Sequence, residues 1–231
     1  MTRILVPSEL ATDWRRFLAD PAKQWRRGYS ARTTALSWTA AKGAPPEIAA
    51  MAPLGAELLF AAPEWKTALP GGGRESQSDV FALFSIPGGL LTMTVEAKVD
   101  EPFGPTLGEW MEGASPEKHA RIAAIGEVLG LAAPIPASIR YQLLHRAAAA
   151  LIEARRFRAR EAAMIVQSFS AQGRWFEDFA GFAALFGLAP GPGEPARAQV
   201  PEIGTLRIGW AKGDPTFRES PYAGGQDTGL D

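Results

Sequence analysis

The run Leu91-Thr92-Met93-Thr94-Val95-Glu96-Ala97-Lys98-Val99-Asp100 alternates apolar and polar side chains without interruption. In an extended chain, residues two apart share a face. The spacing therefore predicts a strand that sends Leu91, Met93, Val95, Ala97 and Val99 into a core and gathers Thr92, Thr94, Glu96, Lys98 and Asp100 on the opposite face. Upstream, Asp79-Val80-Phe81-Ala82-Leu83-Phe84 is a short apolar run bounded by polar residues, the pattern of a strand buried on both faces. Pro87-Gly88-Gly89 lies between the two runs and supplies a turn, so the pair reads as a hairpin. Such a pairing brings Asp79, at the start of the first strand, toward Glu96 near the end of the second.

Helical patterns surround this hairpin. Residues 30–42 carry apolar or small side chains at helical spacing and stop at Gly43, and Pro45-Pro46 suits the start of another helix that Pro53 interrupts. Residues 55–62 (GAELLFAA) predict a further short helical turn carrying Glu57, and the Gly71-Gly72-Gly73 segment a turn. Ser115 and Pro116 form a helix start, with Ile122, Ile125, Val128 and Leu129 as its apolar stripe and Gly130 at its end. A second helix is expected over residues 138–156, a buried strand over 162–169, an aromatic-rich helix over 175–186 and a final strand over 205–211. Residues 187–198 read as a loop, and everything from 218 to 231 as a disordered tail. The order predicts one α/β domain over residues 1–217, a mixed central sheet flanked by helices in three layers.

The chain has 231 residues, 24 Lys+Arg and 25 Asp+Glu, for a formal charge of −1. That balance excludes a surface coated in positive charge, so any contact with nucleic acid must come from local patches. Hydrophobic residues make up 46% and charged residues 21%, which excludes a wholly disordered chain. With no cysteine, zinc ribbons, iron–sulfur clusters and thiol nucleophiles are excluded, and a reducing cytoplasm fits. The opening MTRILVPSEL has no apolar run of signal-peptide length, and no stretch approaches the ~18 apolar residues of a membrane span, so no membrane partner is expected.

Chemistry concentrates on the hairpin. Two carboxylates placed together, Asp79 and Glu96, repel each other unless a cation lies between them, and hard divalent ions such as Mg²⁺ take carboxylate oxygens and water. Lys98, on the same face as Glu96, is placed to orient a water molecule. This combination suits in-line hydrolysis of a phosphodiester.

Asp79 followed by Glu96-Ala97-Lys98 resembles the D…(D/E)-x-K signature of the PD-(D/E)XK, or restriction-endonuclease-like, nuclease superfamily, with Ser78 where the signature has proline. The resemblance implies a helix, a three-strand meander, a helix and a further strand, and a Mg²⁺- or Mn²⁺-dependent nuclease, with DNA favoured and RNA open. It further implies metal binding by Asp79, Glu96 and a Glu of the first helix, matched here to Glu57, with Glu47 and Glu64 as rival acids. Lys98 would assist the attacking water. Gln142, Arg140 and Arg146, in the segment Arg140-Tyr141-Gln142-Leu143-Leu144-His145-Arg146, match the Gln or Arg that the helix after the motif strand aims at the site. A homodimer or a protein partner is compatible with the reading. A second resemblance, to bacterial proteins sharing variants of GYSA, VEAKVDEPFGPTLGEW and YQLLHR, covers residues 25–217 and implies no activity.

The plain alternative for Glu96 and Lys98 is a pair of charges on a solvated strand face, worth well under ~1 kcal/mol. It leaves unexplained why Asp79 abuts an apolar run. A module that keeps the fold and binds nucleic acid or protein without catalysis is the competing function. His119 and His145 lack metal-ligand spacing, the glycine segment lacks the GKS/T ending of a P-loop, and the stripe Trp175-Phe176-Phe179-Phe182-Phe186 reads as core.

Overall fold

Strand β2 (Ser76–Ile86) turns into β3 (Gly89–Lys98) through two residues, Pro87-Gly88, with Ile86 opposite Gly89. Gly88 takes φ +88°, a left-handed conformation that side chains with a Cβ disfavour. The alternating stretch is thus the second arm of a hairpin, as its period requires. In this computed structural model, which describes residues 8–220, β1 (Glu57–Thr67) pairs antiparallel with the other side of β2. β3 pairs parallel with β4 (Glu161–Ser168), β4 parallel with β6 (Gly204–Lys212), and β5 (Ala196–Val200) antiparallel with β6. The result is one mixed six-stranded sheet in the order β1-β2-β3-β4-β6-β5.

Helices cover both faces, which makes three layers. A 3₁₀ turn (Ala11–Phe17) and the short α1 (Pro21–Gln24) precede α2 (Ser30–Ala41) and α3 (Pro46–Ala49). Trp38 of α2, Ile48 of α3 and the nearby Met51 pack with Val80, Phe84, Leu91, Met93, Val95 and Ile165 on one face of the sheet. Across that boundary, Gln167 accepts from Trp38 Nε1 at 3.1 Å and donates to Glu47 Oε1 at 2.7 Å. Between β3 and β4 lie α4 (Leu107–Met111), α5 (Pro116–Leu129) and α6 (Tyr141–Phe157). The run Ala147 to Leu151 in α6 is fully buried, and its four alanines let the helix lie close on the sheet. α7 (Phe176–Ala184) packs its aromatic residues around Trp210, as the helical stripe predicts.

Four expectations are corrected. Residues 57–62 are strand, not helix: Leu58, Phe60 and Ala62 alternate with more exposed neighbours, and the ladder to β2 satisfies the backbone. Pro63 is tolerated because β1 is an edge strand. The polar face of β3 is covered rather than solvated, since Thr92 Oγ1 donates to the Ala150 carbonyl and Thr94 Oγ1 to the Arg146 carbonyl of α6. β5 falls where a loop is expected; only Ala198 and Val200 turn inward, too few to register as a period. Residues 216–219 form α8 (Thr216–Glu219), held by Arg218 Nη2 at 2.6 Å from Asp100 Oδ2, so the expected tail does not begin at 218. The remainder of that expectation, 221–231, lies outside the described residues. Among the described residues no helix is long and apolar enough to cross a membrane.

Candidate active site

Three adjacent strands bring three acids into line. Pro63 lies opposite Val80 and Trp65 opposite Ser78, which sets Glu64 of β1 across from Asp79 of β2. Val80 lies opposite Val95, so the next position along each strand sets Asp79 beside Glu96 of β3. Asp79 and the Glu96-Ala97-Lys98 motif meet at one residue: Asp79 Oδ2 accepts from the Ala97 backbone N–H at 2.6 Å. That contact lies just beyond the last paired residues of β2 and β3, where the side chain takes over a ladder donor.

Glu96 is the centre of the arrangement and is 2% exposed. Lys98 Nζ donates to its Oε1 at 2.7 Å, and Lys98 also lies 5.1 Å from the Phe103 ring centroid. Gln142 Nε2 donates to the same Oε1 at 2.7 Å, and Arg146 Nε donates to Oε2 at 2.5 Å. Gln142 and Arg146 are four apart on α6 and therefore share a helix face, the one laid on β3. Arg146 Nη1 continues to Ser76 Oγ at 2.8 Å, and Ser76 Oγ lies 2.9 Å from His145 Nδ1. On the β1 side, Gln77 Nε2 donates to Glu64 Oε2 at 2.7 Å.

The electrostatics divide these acids. Burial pushes Glu96 up, yet the charges and hydrogen bonds of Arg146 and Lys98 outweigh it and hold the carboxyl at about 2. Burial raises Glu64 to about 7 against the Gln77 hydrogen bond, with Glu96 adding to the rise. Asp79 is lifted well above the usual carboxylate range by burial first and then by Glu96 and Glu64. His145 is held well below its ordinary value by burial and by the neighbouring Arg146. One ionised carboxylate thus sits between two cations, while two further acids are pressed toward their neutral form.

The sequence-predicted residues separate accordingly. Asp79, Glu96, Lys98, Gln142 and Arg146 are brought together. Glu57 is not: it opens β1 opposite Ser85, seven residues from Glu64 and so roughly 20 Å along the strand. Glu64, the rival acid, occupies the place expected of Glu57. Arg140 is also elsewhere, with its Nε 3.0 Å from Asp178 Oδ2 and its Nη1 donating to the Gly104 carbonyl. Arg146 is at the site, where its guanidinium donates to Glu96 and Ser76. Ser76, Gln77 and His145 join the cluster without a signal in the sequence, because only the register of β1 on β2 and the phase of α6 place them.

A hard cation must find oxygens here. Both Glu96 oxygens already accept hydrogen bonds, and Asp79 offers the oxygen that does not face Ala97. Among the described residues no group of three or more Asp, Glu or His stands ready to hold a metal. Mg²⁺ is commonly bound through one or two carboxylates with water and substrate phosphate completing its shell, and Asp79 with Glu96 fits that donor set. A cation there would also offset the burial, and the neighbouring carboxylates, that push Asp79 and Glu64 toward protonation.

A family model, "Domain of unknown function (DUF6946)", matches residues 7–215, and the chain belongs to that family. No curated protein and no solved structure matches the chain.

Proposed function

We propose that this member of the DUF6946 family hydrolyses phosphodiester bonds in nucleic acid, DNA by preference, with the help of Mg²⁺ or Mn²⁺ in a cytoplasmic setting. The observation that carries the reading is the meeting of Asp79, Glu96 and Lys98 at the end of the β2–β3 hairpin, with Lys98 Nζ 2.7 Å from Glu96 Oε1 and Asp79 Oδ2 on the intervening Ala97 N–H. Asp79 and Glu96 would hold the cation, which when bound supplies positive charge against the phosphoryl oxygens.

The chain's own groups do the rest. Hydrolysis transfers the hydroxyl of water to phosphorus and its proton to the departing sugar oxygen. Lys98, fixed by Glu96 and enclosed against Phe103, is positioned to orient the water and to balance charge that builds on the phosphoryl group. Gln142 holds Glu96 Oε1 in place from α6. Arg146 keeps Glu96 ionised, so the carboxylate is available at neutral pH.

The second reading, a module that binds nucleic acid or protein without cutting, is favoured by one observation: Arg146 and Lys98 together neutralise Glu96 and occupy both its oxygens. The deciding experiment incubates the purified protein with single- and double-stranded DNA and RNA in Mg²⁺, Mn²⁺ or EDTA, beside Lys98→Ala. Metal-dependent cleavage lost in Lys98→Ala is the expected result. No cleavage of any substrate by the wild type transfers the assignment to the binding module.

A further inference from the structure

Charge is distributed unevenly along this chain. Residues 14–32 hold six Lys or Arg against one Asp, whereas the rest of the chain holds eighteen against twenty-four Asp or Glu. The triplet Trp-Arg-Arg occurs twice in this segment, as Trp14-Arg15-Arg16 and Trp25-Arg26-Arg27. Both tryptophans are half-buried, while the four arginines and Lys23 are exposed. Trp14 packs beside Leu58 against the cluster that holds Trp38 and Val80, so the fold uses the aromatic residue and leaves the charges in water. The acids of the segment are engaged already. Asp13 Oδ2 accepts the backbone N–H groups of Glu9 and Leu10, and Asp20 Oδ2 lies 3.2 Å from Lys23 Nζ. Arg15 and Arg27 have no ion-pair partner among the described residues.

Hydrogen bonds tie this segment to the carboxyl end of β3. The Ser30 N–H donates to Glu101 Oε1 at 3.2 Å, the Gly28 N–H to the Arg218 carbonyl at 3.1 Å and Arg32 Nη2 to the Ser220 carbonyl at 3.1 Å. Arg218 in turn lies 2.6 Å from Asp100 Oδ2, and the exposed Arg174, from the loop after β4, lies 3.7 Å from Oδ1. Glu101 is taken up by the N–H groups of Ser30, Val99 and Asp100. Asp100 and Glu101 follow Lys98 by two and three residues, a reach of at most ~11 Å of chain. The basic segment therefore borders the edge of the sheet at which β3 delivers Lys98, with Arg174 and Arg218 adding positive charge there.

We infer that residues 15–27 form a surface for the sugar–phosphate backbone of a nucleic acid, with Arg15, Arg26 and Arg27 as its phosphate contacts. Exposed, uncompensated arginines fit a polyanion, and contacts of this kind hold the backbone without reading sequence. Charge gathered in one segment also reconciles such binding with a chain whose formal charge is −1. An anionic membrane surface offers phosphates too, but a segment that lies in a membrane interface inserts an apolar face. Here Leu18 is buried and Trp14 is packed into the protein, which leaves Tyr29 as the exposed large hydrophobic residue of the segment.

The inference rests on the nucleic-acid reading above but is tested by binding, apart from cleavage. In EDTA, anisotropy of fluorescein-labelled single- and double-stranded DNA is followed across a salt series for wild type and for Arg15→Ala/Arg26→Ala/Arg27→Ala. The control is Arg160→Ala/Arg197→Ala, which removes two exposed arginines outside the segment, and thermal melting checks the fold of each protein. The triple variant should lose about tenfold or more of the affinity near ~0.1 M salt, and its slope of log K against log salt should fall by about one for each phosphate contact removed. The control should bind as wild type does. No binding of either DNA by wild type, a folded triple variant that binds with unchanged affinity and slope, or an equal loss in the control overturns the surface. Binding to vesicles of equal parts phosphatidylserine and phosphatidylcholine that needs the same arginines, with no binding of DNA, overturns it in favour of a membrane. A protein that binds DNA as expected yet never cuts would sink only the catalytic reading.

Discussion

Arg146 Nε lies 2.5 Å from Glu96 Oε2, and the two side chains are 8% and 3% exposed. Charges buried this deeply gain from each other what they lose in hydration, and removing one strands the other at a typical cost of about 3–5 kcal/mol. Arg146→Ala is expected to lower the unfolding free energy by about that much in urea titrations. Glu96→Ala should do the same, because it leaves Arg146 and Lys98 buried together. Replacing Glu96, Lys98 and Arg146 all by Met should lie closer to wild type than either single change. A loss below ~1 kcal/mol for Arg146→Ala would mean that the pair is solvated like a surface ion pair.

Stability should depend on pH through Glu64. Burial with Glu96 nearby holds this carboxyl at about 7, against an ordinary 4.5. Between those values the folded protein keeps a proton that the unfolded chain has released, so stability falls as pH rises from about 4.5 to 7, by at most ~1.4 kcal/mol per pH unit. Asp79 is raised in the same sense and adds to the fall. Glu96, held at about 2, acts oppositely: its stabilisation is present above pH 4.5 and is lost as pH drops toward 2. Glu64→Gln keeps an acceptor for Gln77 and removes the titration. The difference in unfolding free energy between pH 5 and pH 8 should shrink in this variant, and an unchanged difference would refute the assignment.

Metal should stabilise the fold through Asp79 and not through Glu57. A ligand that binds only the native state adds about 2.7 kcal/mol at a hundred times its Kd. Mn²⁺ is expected to raise Tm in the wild type and in Glu57→Gln, and to have no effect in Asp79→Asn. A response lost in Glu57→Gln would restore the residue that the strand register places elsewhere.

The glycine loop gives a test of packing independent of chemistry. Gly71 has φ +80°, and a Cβ there would come 2.7 Å from Arg121 Cα, closer than real contacts allow. Gly72 has φ +75° but open space around its Cβ position. Gly72→Ala should cost about 1 kcal/mol from backbone strain alone, and Gly71→Ala clearly more, because Arg121 must move and with it the wall around Tyr141. Equal costs in thermal or urea unfolding would show that the loop is free to shift.

The sequence by itself determined the hairpin and the charged residues it carries. The unbroken alternation from Leu91 to Asp100 has one structural solution, and the Pro87-Gly88 turn sets its partner, so Asp79, Glu96 and Lys98 follow from local pattern. Gln142 and Arg146 are named only through the family resemblance, and the structure brings both to Glu96. Tertiary structure decided which acid joins them. Residues 55–62 carry helix-compatible side chains, and only the ladder to β2 makes them strand, which moves Glu57 away from Asp79 and sets Glu64 across from it. Tertiary structure also decided the state of the charges. Arg146 is a basic residue on a helix in the sequence, but burial beside Glu96 turns it into a counter-ion, because a charge leaving water must find its partner within the fold. Partner choice across 50 residues is set by how α6 lies on the sheet, and no local period encodes it.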